Sequence, residues 1–159
     1  DLGFPVFRTM GGVMGMCLCN DRRWPETWRV MGMQDVDLVM LGYNTPVYNS
    51  VASESPHLRM FHNHISMQAG AYQNGTWAVG TAKAGMEGGV DMMAGSCIIA
   101  PTGEIVALAT TAEDEVIVAE CDLDRGRYIR DTVFNFAQHR RIENYGLITE
   151  RNEAITPPE

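Results

Sequence analysis

The alternation of strand-like apolar runs with helical segments predicts an α/β protein built around a buried sheet. Three observations carry that prediction. "VDLVMLGY" (36–43) is apolar throughout, as a strand covered on both faces would be. "SCIIAPTGEIVALAT" (96–110) reads as a strand, a Pro-Thr-Gly turn and a second strand. Between these, Leu58, Phe61, Ile65, Ala69 and Tyr72 recur at separations of three or four, one face of a helix.

In chain order, "FPVFRTMGGVMGMCLCN" (4–20) predicts two short strands joined at Gly11-Gly12. The second, from Val13 to Leu18 or Cys19, is apolar on both faces, so both are expected to be covered. Pro25 suits the first turn of a helix over about 25–33, and Glu26 suits its positive end. After the 36–43 strand, the turn-rich loop "NTPVYNSVASESP" is of the kind that carries binding groups. Ser55 and Pro56 then read as N-cap and first helical position, and Asn74-Gly75 ends the helix. "TWAVGTAKAG" predicts a strand, "MEGGVDMMAG" a Gly-rich loop, "EDEVIVAECDL" a further strand, and a polar helix follows from about Asp124. The tail, about 134–159, mixes aromatic anchors with charge and has no continuous core stripe, so it is expected to pack on another subunit or on a missing part of the chain.

At 159 residues the chain fits one domain with a sizeable core. Its net charge of −8, without any Lys/Arg run, argues against nucleic acid and anionic membrane surfaces as partners. No apolar segment is long enough to span a bilayer, and nothing reads as a signal peptide. The chain opens on Asp1 and runs straight into "LGFPVF", which suggests a start inside a longer protein. Four Cys residues, at 17, 19, 97 and 121, lie in or beside strand-like runs and suggest reduced thiols in a cytoplasmic protein. The 11 Met residues are mostly core filler.

"MGMCLCNDRRWPETWR" (14–29) poses the chemical question. A Cys-x-Cys without a second Cys/His cluster lacks the paired ligand sets of a zinc site, and a redox couple favours Cys-x-x-Cys. Cys17 lies within the apolar run and reads as a core thiol. Cys19 ends the strand just before a helix start, at the carboxyl edge where α/β proteins place their sites. A helix N-terminus and Arg22 and Arg23 nearby are the surroundings in which a thiol is activated. On the residues alone, nucleophile and structural thiol both stand for Cys19. His57, His62 and His64, on or beside the long helix, read as surface or interface groups, and the acidic turn "AEDEVI" as solvated.

"CNDRRWPETWR" resembles the nucleophile segment of the nitrilase superfamily of carbon–nitrogen hydrolases, and "GSCIIAPTGEIVA" (95–107) resembles its later strand-turn-strand signature. The resemblance runs in order over nearly the whole chain. It implies the C-terminal half of a four-layer αββα sandwich, with Cys19 as nucleophile, no cofactor and no metal. Asn20 to Pro25, "GYNTP" (42–46), "FHNHISMQAGAYQNGTW" and "FNFAQHRRIENYGLI" are similar to the branch that hydrolyses N-carbamoyl-D-amino acids. That branch implies a small N-carbamoyl amino acid as partner, with Asn20, Arg22, Arg23, Asn44 and Thr45 as substrate-binding groups, and a homo-oligomer, dimer or tetramer. The superfamily's catalytic Glu and Lys belong before the nucleophile, and this sequence contains neither in a matching position. Lys83 matches no catalytic motif, Glu26 is the helix-start residue of the nucleophile segment, and neither Glu26 nor Glu87 reads as the base. Alternatives are another ureido or amide hydrolase of the superfamily, and an inactive partial domain.

Overall fold

The computed structural model describes residues 3–48 and 54–158. The expectations for Asp1 and for residues 49–53 of the loop lie outside the described residues. A six-stranded sheet has the order β1 (Val6–Thr9), β2 (Gly12–Leu18), β3 (Leu38–Tyr43), β4 (Trp77–Ala82), then β7 (Cys97–Ile99) and β8 (Ile105–Leu108). Strands β2, β3 and β4 run parallel, and β1, β7 and β8 extend the sheet antiparallel. The expected Gly-rich loop contains a separate small hairpin, β5 (Met86–Glu87) and β6 (Val90–Asp91).

Two helices cover one face. Helix α1 (Pro25–Gly32) begins on its Pro, as expected. Helix α2 (Pro56–Asn74) is capped by the Ser55 hydroxyl, which accepts from the Leu58 N–H at 3.3 Å, and it ends at Gly75 with φ of 57°. Val39, Leu41 and Tyr43 of β3 point at this layer and pack with Trp28, Met31, Met67 and Ala71. Gly70 lets the indole of Trp28 lie directly on the α2 backbone, where any Cβ would overlap the ring.

The apolar stripe of α2 does not face the sheet. The buried positions of the helix are Arg59, Asn63, Met67, Gly70, Ala71 and Asn74, while Leu58, Phe61, Ile65 and Tyr72 are exposed. The sheet-facing side needs small residues for close approach and polar ones for the site, so the large apolar residues are left facing outward.

The second face of the sheet is covered only in part. Trp77, Ile98 and Ala100 pack with Ile117, Ala119, Cys121 and Leu123. Residues 113–122 make no strand, contrary to the expectation, although their alternation is real: Ile117 and Ala119 pack inward while Val116 and Val118 are exposed. The segment crosses the sheet as a strap without a strand to pair with, tied by the Trp77 indole N–H to the Asp122 carbonyl at 2.7 Å. Towards β2 the same face is open, with Met16 63% and Leu18 69% exposed. The expected two-sided cover of β2 therefore holds only on the helix side.

After the strap come a short turn, α3 (Arg127–Asp131), α4 (Phe136–His139) and α5 (Gly146–Glu150). The Arg130 guanidinium ties this region back to the sheet through Asp35 and Asp37, at 2.7 and 2.9 Å. The tail also meets its own chain: the Phe134 ring stands edge-on to Tyr72, and Arg29 lies over Phe136.

Candidate active site

Parallel strands β2, β3 and β4 end along one edge of the sheet, and the residues that follow them converge there. Cys19 follows β2 and opens a 3-10 turn, Cys19–Arg23. Its φ is 48°, in the left-handed region that a non-glycine residue rarely occupies. Strain of this kind at a strand-to-helix elbow is a feature of sites that present a nucleophile, and here the Cys19 side chain stays half-buried against the core. The Asp21 carboxylate steadies the elbow by accepting from the Leu18 N–H at 2.9 Å.

Arg22 is the interior support of this turn and is only 1% exposed. Its Nε donates to Asn63 Oδ1 at 2.7 Å, its Nη2 to Thr45 Oγ1 at 2.9 Å, and its Nη1 to the Cys19 carbonyl. The guanidinium lies 4.1 Å from the centre of the Tyr43 ring, and it also interacts with the Cys19 thiol. Burial lowers the Arg22 pKa from its ordinary value, while Tyr43 and Cys19 act against that shift. The fork thus joins the elbow, the end of β3 and helix α2 in one hydrogen-bonded unit.

Asn63 continues the network, donating from Nδ2 to the Tyr43 hydroxyl at 3.2 Å, and that hydroxyl donates to the Gly95 carbonyl at 3.3 Å. Tyr43 and Asn63 escaped the sequence reading. Asn63 sits between Arg59 and Met67 at helical spacing, and that polar-apolar row was the available signal.

The other expected site residues are divided by the fold. Arg23 and Asn20 are exposed on the turn. Asn44 is exposed and its Nδ2 lies 3.4 Å from the Glu87 carboxylate, on the β5–β6 hairpin. Thr45 is buried, with its hydroxyl on Arg22. Lys83, after β4, stands exposed at the same edge. Cys17 points into the core, and burial pushes its thiol up to about 12, with Asp21 adding to the shift and Arg22 opposing it. Cys97 is likewise pushed up to about 12 by burial. Both thiols of the pair are half-buried and pack against the same core cluster, Cys17 from within the strand and Cys19 from the elbow.

His64 Nε2 is 3.3 Å from the Gly95 carbonyl, while His62 pairs with Glu54 on the exposed side of α2. Among the described residues, no group of three His, Cys, Asp or Glu side chains could hold a metal ion.

The family model described as "Carbon-nitrogen hydrolase" matches residues 1–131. This chain belongs to the carbon–nitrogen hydrolase family. A carbon–nitrogen hydrolase from Helicobacter pylori G27 superposes on it with a TM-score of 0.82 at 25% identity, covering 95% of this chain and 54% of that one. An N-carbamoylputrescine amidase from Oryza sativa subsp. japonica is 31% identical over 133 residues, 78% of this chain and 43% of its own length. A nitrilase from Pyrococcus abyssi is 28% identical over 91% of this chain and 50% of its own. The chain spans about half the length of the curated relatives it matches. Its helix-on-sheet arrangement is thus about half of the nitrilase-type α/β sandwich.

Proposed function

We propose that the protein carrying this chain hydrolyses N-carbamoyl-D-amino acids to the D-amino acid, ammonia and carbon dioxide, with Cys19 as nucleophile. The observation that carries the reading is the elbow: a strained Cys19 at the carboxyl edge of three parallel strands, braced by the buried Arg22. Family membership makes the reaction class a carbon–nitrogen hydrolysis.

In this reading the Cys19 sulfur attacks the carbamoyl carbon and ammonia departs, leaving an S-carbamoyl thioester. Water then attacks the same carbon, the carbon–sulfur bond breaks, and the released carbamate loses carbon dioxide. The Asn20 backbone N–H, directly after the nucleophile, donates to the developing oxyanion in this reading. The proton transfers and further oxyanion stabilisation fall to a Glu and a Lys contributed by other residues of the longer protein. Arg23 and Asn44, both exposed beside the elbow, meet the substrate carboxylate. Arg22 and Thr45 act beneath them, their mutual hydrogen bond setting the depth of the site. Four free thiols suit a reducing, cytoplasmic setting, and the exposed apolar side of α2 suits a homo-oligomer.

A second reading has a specific observation in its favour. The relatives include N-carbamoylputrescine amidases, whose named substrate carries an amine where an N-carbamoyl amino acid carries a carboxylate. The Glu87 carboxylate beside Asn44 would suit that cation.

Rates with N-carbamoyl-D-alanine, its L enantiomer and N-carbamoylputrescine, measured on the full-length protein, separate the two. The D acid is expected to have the highest kcat/KM, and Arg23→Ala to lower it roughly ten- to hundredfold, as the loss of a charged hydrogen bond would. Preference for the amine, with Arg23→Ala harmless, transfers the assignment to the second reading. Cys19→Ala should abolish every hydrolysis while Cys17→Ala leaves much of it. The reverse pattern removes Cys19 as nucleophile.

A further inference from the structure

A cavity of about 650 Å³ opens between α1 and the segment that follows α3, sharing no lining residue with the elbow or with Asn44 and Thr45. Its walls are largely apolar and aromatic, with Phe134, Phe136, Tyr145 and Ile148 on the tail side. Two guanidinium groups, Arg29 and Arg140, enter the same space. Neither makes an ion pair among the described residues, in a chain whose net charge is −8.

Both arginines have only weak partners. Arg29 lies 4.2 Å from the centre of the Phe136 ring, and its Nη1 is buried without a hydrogen-bond partner among the described residues. Arg140 lies over Tyr145 at 5.4 Å, and among the described residues its Nη1 reaches only the Met33 sulfur, a poor acceptor, at 3.1 Å. The two repel: burial first, and then Arg140, lowers the Arg29 pKa from its ordinary value. Among the described residues Glu26 is the one carboxylate on the lining, and it bridges to neither arginine. A buried N–H of this kind is costly until it meets an acceptor, and a guanidinium fork matches a carboxylate best. Aromatic walls around such a fork favour an anion with an apolar body over an inorganic one.

We propose that this cavity is a second binding site, taking an organic carboxylate whose charged end sits on Arg29 and Arg140 and whose apolar body lies against Phe134, Phe136 and Ile148. The site is separate from the hydrolytic one and does not depend on which substrate that site takes.

Calorimetric titration of the full-length protein with 4-phenylbutyrate, and with the uncharged 4-phenylbutanol, tests it. Saturable binding of the acid is expected, with the alcohol at least about tenfold weaker, since it lacks the charged hydrogen bonds. Arg29→Gln and Arg140→Gln should each weaken the acid by a similar factor, while Arg29→Lys, which keeps the charge, retains more of the affinity. The comparison of acid and alcohol on the unaltered protein stands even where a variant folds poorly. Equal affinity for acid and alcohol overturns the proposal, leaving a merely apolar groove. So does binding of the acid that ignores both Gln variants, which puts the ligand elsewhere. Binding of the acid only when the protein is dissociated to monomers also overturns it, because the cavity is then part of an interface between copies.

Discussion

At the scale of single residues, two positions of spacing in the Cys-x-Cys pair put one thiol within a strand and the other on the turn that follows it. Strand alternation sends Cys17 to the helix side of the sheet, where burial keeps it protonated up to about 12. Cys19 falls one step past the last strand residue, on a turn with positive φ. The half-buried thiol of Cys17 and the buried thiol of Cys97, with the Tyr43 phenol pushed from 10.0 to about 12 mainly by burial, make stability pH-dependent. Each group keeps its proton in the folded chain after the unfolded chain has lost it. The unfolded state therefore binds fewer protons above about pH 9, and stability falls from there toward pH 12. Urea unfolding at pH 8 and at pH 10.5 should give a lower midpoint at the higher pH. Cys97→Ala should flatten that decline, and an unchanged slope would remove Cys97 from the explanation.

At this scale the turn that carries Cys19 and Arg23 was legible from its neighbours in the chain, because a strand end, a polar turn and a Pro are local signals. The role of Arg22 was not. Its partners Thr45 and Asn63 lie 23 and 41 residues away, and an Arg pair in a polar turn looks the same whether one member is buried or both are solvated.

At the scale of elements, α1 and α2 are held by close approach more than by bulk. A methyl group at Gly70 would run into the Trp28 ring, so Gly70→Ala should destabilise by about 1–3 kcal/mol despite its better helix propensity. A thermal melt that rises in this variant would show that the helices can part freely. Helix α2 carries the larger lesson. The 3.6-residue periodicity located the helix and its two caps, yet the stripe it marked is the exposed one. Periodicity reports that a face is apolar, and it does not say whether the sheet or another molecule covers that face. We expect the stripe to mediate self-association: Phe61→Glu together with Ile65→Glu should shift the protein toward monomer in sedimentation. An unchanged mass would free that face of the role.

The strap at 113–122 makes the same point for strands. Its alternation sends Ile117 and Ala119 in and Val116 and Val118 out as a strand would, but a strand also needs a neighbour with free backbone groups. The chain crosses the sheet there and finds none.

At the scale of the whole molecule, the sheet has one finished face and one that is open near β2, at Met16 and Leu18. In a sandwich, a second sheet would cover that face. The 159-residue chain by itself is expected to be poorly soluble and to bind hydrophobic dyes, since contiguous apolar surface of this kind drives association. A sharp, reversible thermal transition of the isolated chain would contradict this. The described residues contain no helix long and apolar enough to cross a membrane.

Strands β1 to β4, β7 and β8, helices α1 and α2 with their capping turns, the family and the position of Cys19 at a strand end follow from the sequence by itself, because each depends on residues a few positions apart. The tertiary structure alone decided that Arg22 works from inside, that the apolar stripe of α2 faces outward, and that Arg29 and Arg140 share a cavity. Those outcomes depend on contacts between residues tens of positions apart, whose partners are set by how the layers pack.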